Sequence, residues 1–452
     1  MSDALLLTLA ATRDLGSLTL DLDALWLVIA AVLVIFMQAG FACVEIGFSR
    51  GKNAGAVVAK VLFNLSVVSL VWWACGFALA FGGGALLLGD SGFFLHVGET
   101  ISPGSPIAGT VTSADTGYVL FQMVFCAVSF AIVWGTTLER IRFVAYPIYG
   151  VVFAALIYPL VAHWIFGGGL LHQVGEGMQD FAGSTVVHLT GATGGLAALL
   201  LLGPRRGKYG PDGRPRAIPG HSMPMFGLGV LILWLGWFGF NAGSTLTTAG
   251  ARFAEVALAT NIAAAAGVVG ATATVWLLTR RLDVGMIGNG AIGALVAITA
   301  PVGFVELWAA PIIGVVAGVL VVVSVLAIDR VLDDPVGALS AHGVAGIWGT
   351  LSCGLFAAPR IVDAPGVPGE AGLVYGGSFE QLGVQALGVL VVFLLVFALS
   401  YLTFAAIKAL FGLRVTDDEE DEGLDIVEHG MYGYPEQFIV GNDLAPAEEP
   451  LR

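Results

Sequence analysis

Two stretches of this 452-residue sequence follow one pattern. Residues 180–196 read DFAGSTVVHLTGATGGL, and residues 334–351 read DPVGALSAHGVAGIWGTL. In each stretch a glycine comes three residues after the aspartate and a histidine comes eight residues after it. The whole chain contains only seven histidines. Agreement of Asp, Gly and His at one spacing therefore predicts an internal duplication.

The composition places both copies in a membrane protein. Hydrophobic residues make up 57% of the chain and charged residues 12%, whereas soluble domains carry about 25% charged residues. A spanning helix needs roughly 20 mostly apolar residues, and hydropathy with helix breakers predicts eleven of them. They are placed at 24–47, 58–82, 116–138, 142–165, 184–203, 222–241, 253–279, 286–300, 303–328, 340–357 and 382–410.

The distribution of basic residues predicts the orientation. Loops on the cytoplasmic side are enriched in Lys and Arg. With the N-terminus outside, only Arg13, Arg252 and Arg360 of the 19 Lys and Arg residues fall on the outer side. The predicted fold is therefore an all-α polytopic protein of the cell membrane, with the N-terminus outside and the C-terminus in the cytoplasm.

This topology makes the duplication an inverted one. Asp180 precedes the fifth helix on the outer side, whereas Asp334 precedes the tenth helix on the inner side. Inverted repeats are typical of transporters, whose functional site lies near the midplane between the halves. We therefore predict two five-helix halves, 24–203 and 222–357, with helix 382–410 outside the repeat.

The two histidines are candidates for pore residues. Each lies about two turns, or ~12 Å, inside its helix, because the rise is about 1.5 Å per residue. Approached from opposite faces, this depth brings His188 and His342 within reach of each other. Ionisable residues at membrane depth usually face a pathway or a bundle interior, and ordinary packing is the alternative.

An aspartate at a helix start is by default an N-cap, which accepts hydrogen bonds from the first free N–H groups. Capping accounts for Asp334. For Asp180 the sequence leaves two roles open, capping and attraction of an arriving cation.

Aromatic residues gather on the side of Asp180. The third helix contains FQMVF (121–125), the fourth ends in HWIFGGG (163–169) and the sixth ends in GWFGFNAGS (236–244). Aromatic faces attract cations, and a serine hydroxyl accepts a hydrogen bond from an ammonium-type donor. Taken singly, each aromatic is typical of a core or an interfacial belt. Together with Ser244, they predict an outer vestibule for a cation.

The C-terminal segment is acidic. Twelve acidic residues lie in 414–452 and account for most of the net charge of −14. Such runs are usually solvated chain, but EGLDIVEHGMYGY (422–434) also holds apolar residues and favours a docking segment. We predict a membrane domain over residues 1–411 and a cytoplasmic regulatory tail over residues 412–452.

Sequence signals of other function classes are missing. The chain has no P-loop, dinucleotide-binding, metal-ligand or potassium-filter motif, and its four cysteines lie in apolar segments without metal-ligand spacing. We predict no enzyme activity, no metal, no cofactor and no nucleic-acid partner. Glu45 is the main intramembrane acid, with a structural role as its simplest interpretation.

The sequence closely resembles the ammonium transporter (Amt/Mep/Rh) family, on its Amt side. The resemblance covers nearly the whole chain, and the DFAGSTVVH block is its most specific part. The matching segments follow family order: GFACVEIGFSRGKN (40–53), FQMVF (121–125), LERIRF (138–143), GGGLL (167–171), DFAGSTVVH (180–188), GWFGFNAGS (236–244), DDPVGALSAHG (333–343) and EGLDIVEHG (422–430).

The resemblance implies a homotrimer in which each subunit has its own narrow apolar pore. It implies that an outer cage recruits ammonium, that two stacked phenylalanines gate the pore and that twin histidines line it. The cage position before GGG, which is typically Trp in the family, holds Phe166 here, and Trp164 comes two residues earlier. Either residue completes the cage. The residues implied are Phe125, Ser244 and Asp180 for recruitment, Phe125 and Phe240 for the gate, and His188 and His342 for the pore.

The tail resembles the family segment that meets a P-II nitrogen-signalling protein, through Gly423, Leu424, Asp425, His429 and Gly430. The predicted function is recruitment and deprotonation of NH₄⁺, followed by conduction of ammonia with or without the proton. One alternative is an Rh-type channel for neutral ammonia or carbon dioxide. Another is an ammonium sensor, or transceptor, that signals through the tail.

Overall fold

The computed structural model describes residues 15–438. Residues 1–14 of the predicted membrane domain and residues 439–452 of the predicted tail lie outside the described residues. Helices make up most of the described chain.

The helices up to the first histidine are often built in two pieces that a π-helical turn joins. Such turns occur mostly inside α-helices and often at functional sites. The elements are α1 (Leu15–Phe48), α2 (Ala54–Val71) joined through Trp72–Gly76 to α3 (Phe77–Phe81), α4 (Asp115–Gly135), α5 (Ala145–Val152) joined through Phe153–Ile157 to α6 (Tyr158–Ile165), and α7 (Thr190–Leu202), which follows the π-helical turn Ser184–Leu189.

The second part of the chain repeats this construction at its own histidine. The elements are α8 (Met223–Trp237) with the π-helical turn Phe238–Ala242, α9 (Arg252–Thr279), α10 (Val284–Thr299), α11 (Ala309–Ile328), the π-helical turn Leu339–Val344 leading into α12 (Ala345–Phe356), α13 (Pro359–Val362), α14 (Phe379–Phe411), and the tail helices α15 (Asp417–Glu422), α16 (Leu424–His429) and α17 (Pro435–Phe438). Short 3₁₀ turns lie at Gly51–Asn53, Leu170–Gln173, Ala249–Ala251 and Leu373–Tyr375.

Helical segments occupy all eleven positions predicted from the sequence. Within residues 15–438, nine are long and apolar enough to cross a membrane, so the chain is a multi-pass membrane protein. The shorter two are α10 and the segment Leu339–Phe356. Two predicted helix starts are wrong: α1 begins at Leu15 rather than at 24, and α11 begins at Ala309 rather than at 303. The chain turns before α11, with the Phe304 N–H donating to the Pro301 carbonyl at 2.7 Å.

A small antiparallel pair corrects the all-α prediction in one loop. Between α3 and α4, β1 (Thr100–Ile101) pairs with β2 (Gly109–Thr110), and Thr100 lies opposite Thr110. Two-residue strands are too short to show the alternating pattern by which strands are predicted.

The two parts of the bundle pack by different means. Large aromatic rings fill the first part: the Trp134 ring lies edge-on to Phe130, and Tyr149 stacks on Phe404 with 4.1 Å between ring centroids. This stack attaches α14 to α5. Between α9 and α11 the contact is made by glycines, and a Cβ on Gly318 would come 2.3 Å from the Gly267 carbonyl oxygen. Small residues let membrane helices approach closely.

A buried ionic network joins the helix ends near Asp334. The guanidinium of Arg205 binds Asp333 twice, at 2.9 Å each. Arg140, fully buried, donates to the carbonyls of Gly203 (2.9 Å) and Asp333 (3.0 Å). Burial opposes ionisation of Asp333, but the two arginines outweigh it and lower the pKa of Asp333 to about 2. The network fixes the end of α7 against the segment that enters α12.

Candidate functional site

Asp180 caps the helical segment that carries His188. Its Oδ1 accepts hydrogen bonds from the N–H groups of Gly183 (2.9 Å) and Ser184 (2.8 Å). Its Oδ2 accepts from Thr185 and Val186, both at 2.9 Å. One carboxylate thus satisfies four N–H groups that would otherwise have no partner. Burial still raises the pKa of Asp180 to about 6, against the lowering effect of these four donors.

The glycine three residues after each aspartate has a conformational reason. Gly183 has a φ of 116° and Gly337 a φ of 74°, values that glycine adopts without strain. A Cβ on Gly183 would also come 2.6 Å from Val187. The Asp-Gly spacing noticed in the sequence is therefore the spacing of a tight turn that folds the helix start back onto the carboxylate.

Asp334 repeats the cap with fewer bonds. Its Oδ2 accepts from the Leu339 N–H at 2.7 Å, while its Oδ1 has no hydrogen-bond partner among the described residues. Burial raises the pKa of Asp334 to about 6 as well, aided by the neighbouring charge of Asp333.

The two histidines meet inside the bundle. Nδ1 of His188 lies 3.2 Å from Nδ1 of His342, and the ring centroids are 5.3 Å apart. A hydrogen bond at this distance requires one Nδ1 to donate and the other to accept. The outward nitrogens, the two Nε2 atoms, then differ, one bearing a proton and the other a lone pair. Nε2 of His188 has no hydrogen-bond partner among the described residues.

A stacked phenylalanine pair adjoins the histidines. The rings of Phe125 and Phe240 are 4.0 Å apart at their centroids and 10° from parallel. The Phe240 ring lies 5.6 Å from that of His188, and the Trp237 ring stacks on the His188 ring with 5.3 Å between centroids. Phe125 and Phe240 are both buried. Aromatic rings therefore pack against the imidazole of His188.

Phe125 also lines a cavity of about 400 Å³, which we call the Asp180 cavity. Phe166, Asp180 and Ser244 line it too. The Ser244 hydroxyl donates to the Phe240 carbonyl at 2.9 Å, so the hydroxyl oxygen keeps its lone pairs as acceptors. The sequence interpretation missed other residues that line this cavity, among them Tyr118, Gln122, Phe181 and Phe304.

Trp164 lies elsewhere. It does not line the Asp180 cavity, and its indole N–H donates to the Leu87 carbonyl at 3.1 Å. The side chain is 7% exposed and attaches the end of α6 to the loop that follows α3. Phe166 is therefore the one of the two candidate cage residues that borders the cavity.

On the opposite side of the histidines, a small cavity of about 20 Å³ is lined by Glu45, Asn289 and His342, which we call the Glu45 cavity. Asn289 and Val336 also line a larger cavity of about 370 Å³, which we call the Asp334 cavity. The sequence interpretation passed over Asn289, although a polar residue in a short apolar helix was a usable signal. Charged residues line the Asp334 cavity: Arg205, Lys208, Asp283, Asp329 and Asp334.

The tail residues singled out in the sequence make direct contacts with the first part of the bundle. The Asp425 carboxylate accepts from the N–H groups of Gly55 (3.0 Å) and Ala56 (2.8 Å) at the start of α2. The Leu424 N–H donates to Asn53 at 2.9 Å. Gly423 and Gly430 have φ values of 112° and 66° and bound α16 on either side. The His429 ring lies edge-on to Phe143, with centroids 5.4 Å apart.

These residues form one row of contacts through the helical bundle. Phe125 of the Asp180 cavity stacks on Phe240, Phe240 lies against His188, and His188 meets His342, which lines the Glu45 cavity. A polytopic helical protein with a buried histidine pair between cavities is typical of the class of membrane transport proteins.

Comparison with known proteins identifies the family. Residues 25–434 match the Ammonium Transporter Family, and the chain belongs to that family. The ammonium transporter Amt2 of Archaeoglobus fulgidus is 43% identical over 427 residues, which cover 92% of this chain and 89% of that protein. The ammonium transporter of Bacillus subtilis is 33% identical over 419 residues, which cover 92% of this chain and 99% of that protein.

Solved structures agree with this assignment. A structure described as a sensor Amt protein superposes with a TM-score of 0.84 at 34% identity, over 92% of this chain and all of that one. Mep2 of Candida albicans superposes with a TM-score of 0.82 at 27% identity, over 97% of this chain and 96% of that one. The family relatives are named as transporters, and the chain is a transporter rather than an enzyme.

Proposed function

We propose that this protein recruits NH₄⁺ in the Asp180 cavity, removes its proton there and conducts ammonia along the path through His188 and His342. The observation that carries the proposal is the 3.2 Å contact between the two Nδ1 atoms directly behind the Phe125–Phe240 stack. The two histidines form a neutral polar pair, and they offer hydrogen-bond partners to ammonia at the one place where the apolar path needs them.

Recruitment is assigned to the residues that border the Asp180 cavity. The rings of Phe125 and Phe166 offer faces to a cation, the Ser244 hydroxyl oxygen offers an acceptor and Asp180 offers a negative charge. Cation–π contacts contribute about 0.5–2 kcal/mol, more where water is excluded. Trp164 takes no direct part, because its indole points to the Leu87 carbonyl.

The phenylalanine pair makes separation of the proton favourable. A bare ammonium ion that enters this stack loses its water shell, which costs many kcal/mol in an apolar medium. Ammonia is neutral and loses far less. Phe125 and Phe240 therefore act as a gate that admits ammonia, and His188 and His342 accept its hydrogen bonds or relay the proton.

The topology proposed for this mechanism has all eleven helical segments crossing the membrane, including α10 and Leu339–Phe356. The N-terminus lies outside, and the C-terminus lies in the cytoplasm. Residues 24–203 and 222–357 are the inverted halves of a membrane domain that ends at 411. Three chains assemble in the cell membrane as a homotrimer. The π-helical turns at both histidines support the inverted repeat. Two measurements test these points. Labelling of single cysteines from either side of the membrane reports the topology, and the mass of the detergent-free complex reports the number of chains.

The tail, residues 412–452, is proposed to be cytoplasmic and to bind a P-II regulatory protein. Its support is the docking of Asp425 on the start of α2, which couples the tail to the membrane helices. Binding of a purified P-II protein to the full chain, compared with Asp425→Ala, tests this assignment.

Transport assays in proteoliposomes test the central proposal. We expect the wild type to give ammonium-evoked current or ammonia flux, and we expect His188→Ala and His342→Ala each to lower it by about 100-fold, the scale of a positioned proton-transfer group. Tail deletion after residue 411 serves as a control for folding of the membrane part. Unchanged ammonium-selective transport in both histidine variants would contradict a pore role.

One observation favours a second candidate, a neutral channel for ammonia or carbon dioxide. Phe166 stands where the family cage typically has a tryptophan, and phenylalanine binds cations more weakly. Ammonia flux without any ammonium-evoked current would favour this channel. A sensor that signals through the tail is less favoured, since the curated relatives are named as transporters.

A further inference from the structure

A buried ion pair lies beside the transport path. Glu45 on α1 and Lys60 on α2 form a direct salt bridge, and each is only 2% exposed. Both residues lie within helical segments long and apolar enough to cross a membrane. Apart from each other, Glu45 Oε2 and Lys60 Nζ have no polar partner among the described residues.

Stability alone is a weak reason for such a pair. Desolvation of two charges often exceeds their attraction, and apolar residues of similar size serve a core equally well. Ionisable residues inside a membrane protein usually face a pathway. Glu45 does so, because its side chain lines the same cavity as His342 and Asn289.

The Glu45 cavity is suited to proton transfer. Its volume of about 20 Å³ exceeds the roughly 10–15 Å³ that one water needs, and a bound water requires two to four polar partners. Glu45, Asn289 and His342 supply them. Lys60 stabilises the negative charge of Glu45, so the carboxylate is ready to accept a proton that leaves the histidine pair.

We infer that Glu45 is the proton acceptor on the far side of the histidine pair from the Asp180 cavity, so that this protein moves a proton together with each ammonia. The inference rests on the proposed function, and it specifies where the proton of NH₄⁺ goes. It assigns a role to an acid for which the sequence alone suggested only structure.

The proton count balances in three transfers. An N–H bond of ammonium breaks in the Asp180 cavity, which leaves neutral ammonia, and the proton is passed by water to Nε2 of His188. The proton in the Nδ1–Nδ1 hydrogen bond moves from His188 to His342, and the Nε2 proton of His342 leaves through a water to the Glu45 carboxylate. Glu45 then releases the proton to the Asp334 cavity, which shares Asn289 and Val336 with its own cavity. Before the next cycle each ring returns to its starting tautomer by exchanging its one proton between Nε2 and Nδ1 through water or ammonia in the path, because rotation of a ring does not move a proton from one of its nitrogens to the other.

The experiment measures charge moved per substrate moved. Wild-type proteoliposomes are assayed for ammonium-evoked current and for uptake of radiolabelled methylammonium. The double variant Glu45→Gln/Lys60→Gln replaces the ion pair with a neutral hydrogen-bonded pair, so no lone charge stays buried. We expect its current to fall by about 100-fold and its uptake to fall much less, which lowers the charge-to-substrate ratio.

Two further variants separate a relay from a structural role. Glu45→Asp keeps a carboxylate in the cavity and should recover a measurable part of the current. Tyr149→Phe removes a different buried contact, the 2.8 Å hydrogen bond to Ser400, and should leave the charge-to-substrate ratio at the wild-type value. A ratio that falls equally in Tyr149→Phe would overturn the relay, because the loss would then reflect helix packing.

The outcomes also distinguish the relay from the proposed function. Wild type without any uptake or current defeats ammonium transport itself. Wild type with uptake but no current leaves transport standing and overturns the relay, since no proton then crosses. Wild-type current with an unchanged ratio in Glu45→Gln/Lys60→Gln also overturns the relay alone.

Discussion

The two copies of the Asp-Gly-His pattern have nearly the same backbone and very different surroundings. Asp180 accepts four N–H groups and borders a cavity lined mainly by aromatic rings. Asp334 accepts from Leu339 and borders a cavity lined by one arginine, one lysine and two further carboxylates, those of Asp283 and Asp329. His188 packs against aromatic rings, whereas His342 faces the cavity of Glu45 and Asn289.

This difference shows how a duplicated element acquires direction. The turn, the cap and the histidine are local features, so both copies keep them. The surroundings are supplied by other helices, and in the proposed mechanism these favour a cation on the Asp180 side and proton acceptance on the Asp334 side. A symmetric pair of motifs can therefore serve a path whose two ends do different chemistry.

The largest expected effect is on the free energy of unfolding, and it concerns the residues that precede Asp180 and Asp334, which are Gln179 and Asp333. Asp333 is ion-paired with Arg205 at 2.9 Å, whereas the equivalent Gln179 makes neutral bonds to Gln385 and to the Pro368 carbonyl. We expect Asp333→Asn to lower the free energy of unfolding by about 3–5 kcal/mol, because it leaves a buried arginine underpaired. Gln179→Ala should cost about 1–3 kcal/mol, the range for a buried unsatisfied group.

Thermal unfolding of the purified protein in detergent checks this order. The pKa of Asp333 is lowered to about 2 from 3.8, so its contribution is fully present above pH 3.8 and is lost as the pH falls through 2. If Asp333→Asn and Gln179→Ala lowered the unfolding temperature equally, the charged network would add no stability beyond that of ordinary hydrogen bonds.

An effect of intermediate size is expected on the apparent affinity for ammonium, and it depends on the charge of Asp180. Because burial raises its pKa to about 6, the carboxylate is ionised at pH 7.5 and largely protonated at pH 5. We expect the apparent affinity for ammonium to fall by up to about tenfold across this interval, which corresponds to about 1.4 kcal/mol of lost attraction. Half-saturation of ammonium-evoked current, measured against the pH on the Asp180 side, checks it.

Asp180→Asn is the matched control for this titration. It keeps an oxygen acceptor for the helix start and removes the charge, so its affinity should be low and independent of pH between 5 and 7.5. A variant with the wild-type pH profile would assign the titration to another group.

The smallest expected effect concerns the cage aromatic. Phe166→Trp offers a larger π face to the cation, and about 0.5–1 kcal/mol of added attraction should raise the apparent affinity for ammonium about two- to fivefold. Trp164→Phe should give no such gain, because Trp164 is bonded to the Leu87 carbonyl outside the cavity. Ammonium titration of the transport current compares the two. A gain from Trp164→Phe alone would contradict the assignment of Phe166 to the cage.

Much of the architecture was accessible from the sequence because the membrane imposes strong constraints. Apolar length located all eleven helical segments to within a few residues, apart from the starts of α1 and α11. Spacing predicted the repeat, and the turn glycines Gly183 and Gly337 explain why the two stretches share that spacing. The two-residue strands β1 and β2 were missed, since so short a pairing depends on the folded loop around it.

The sequence by itself determined which residues are chemically unusual: two histidines, two aspartates and one glutamate in an apolar chain. Only the tertiary structure decided how they are paired. Nδ1 of His188 meets Nδ1 of His342 although 154 residues separate them, Trp164 bonds to a loop while Phe166 borders the cavity, and Glu45 joins the cavity of His342. Hydropathy and spacing act along the chain, whereas these contacts depend on how helices distant in sequence cross in space.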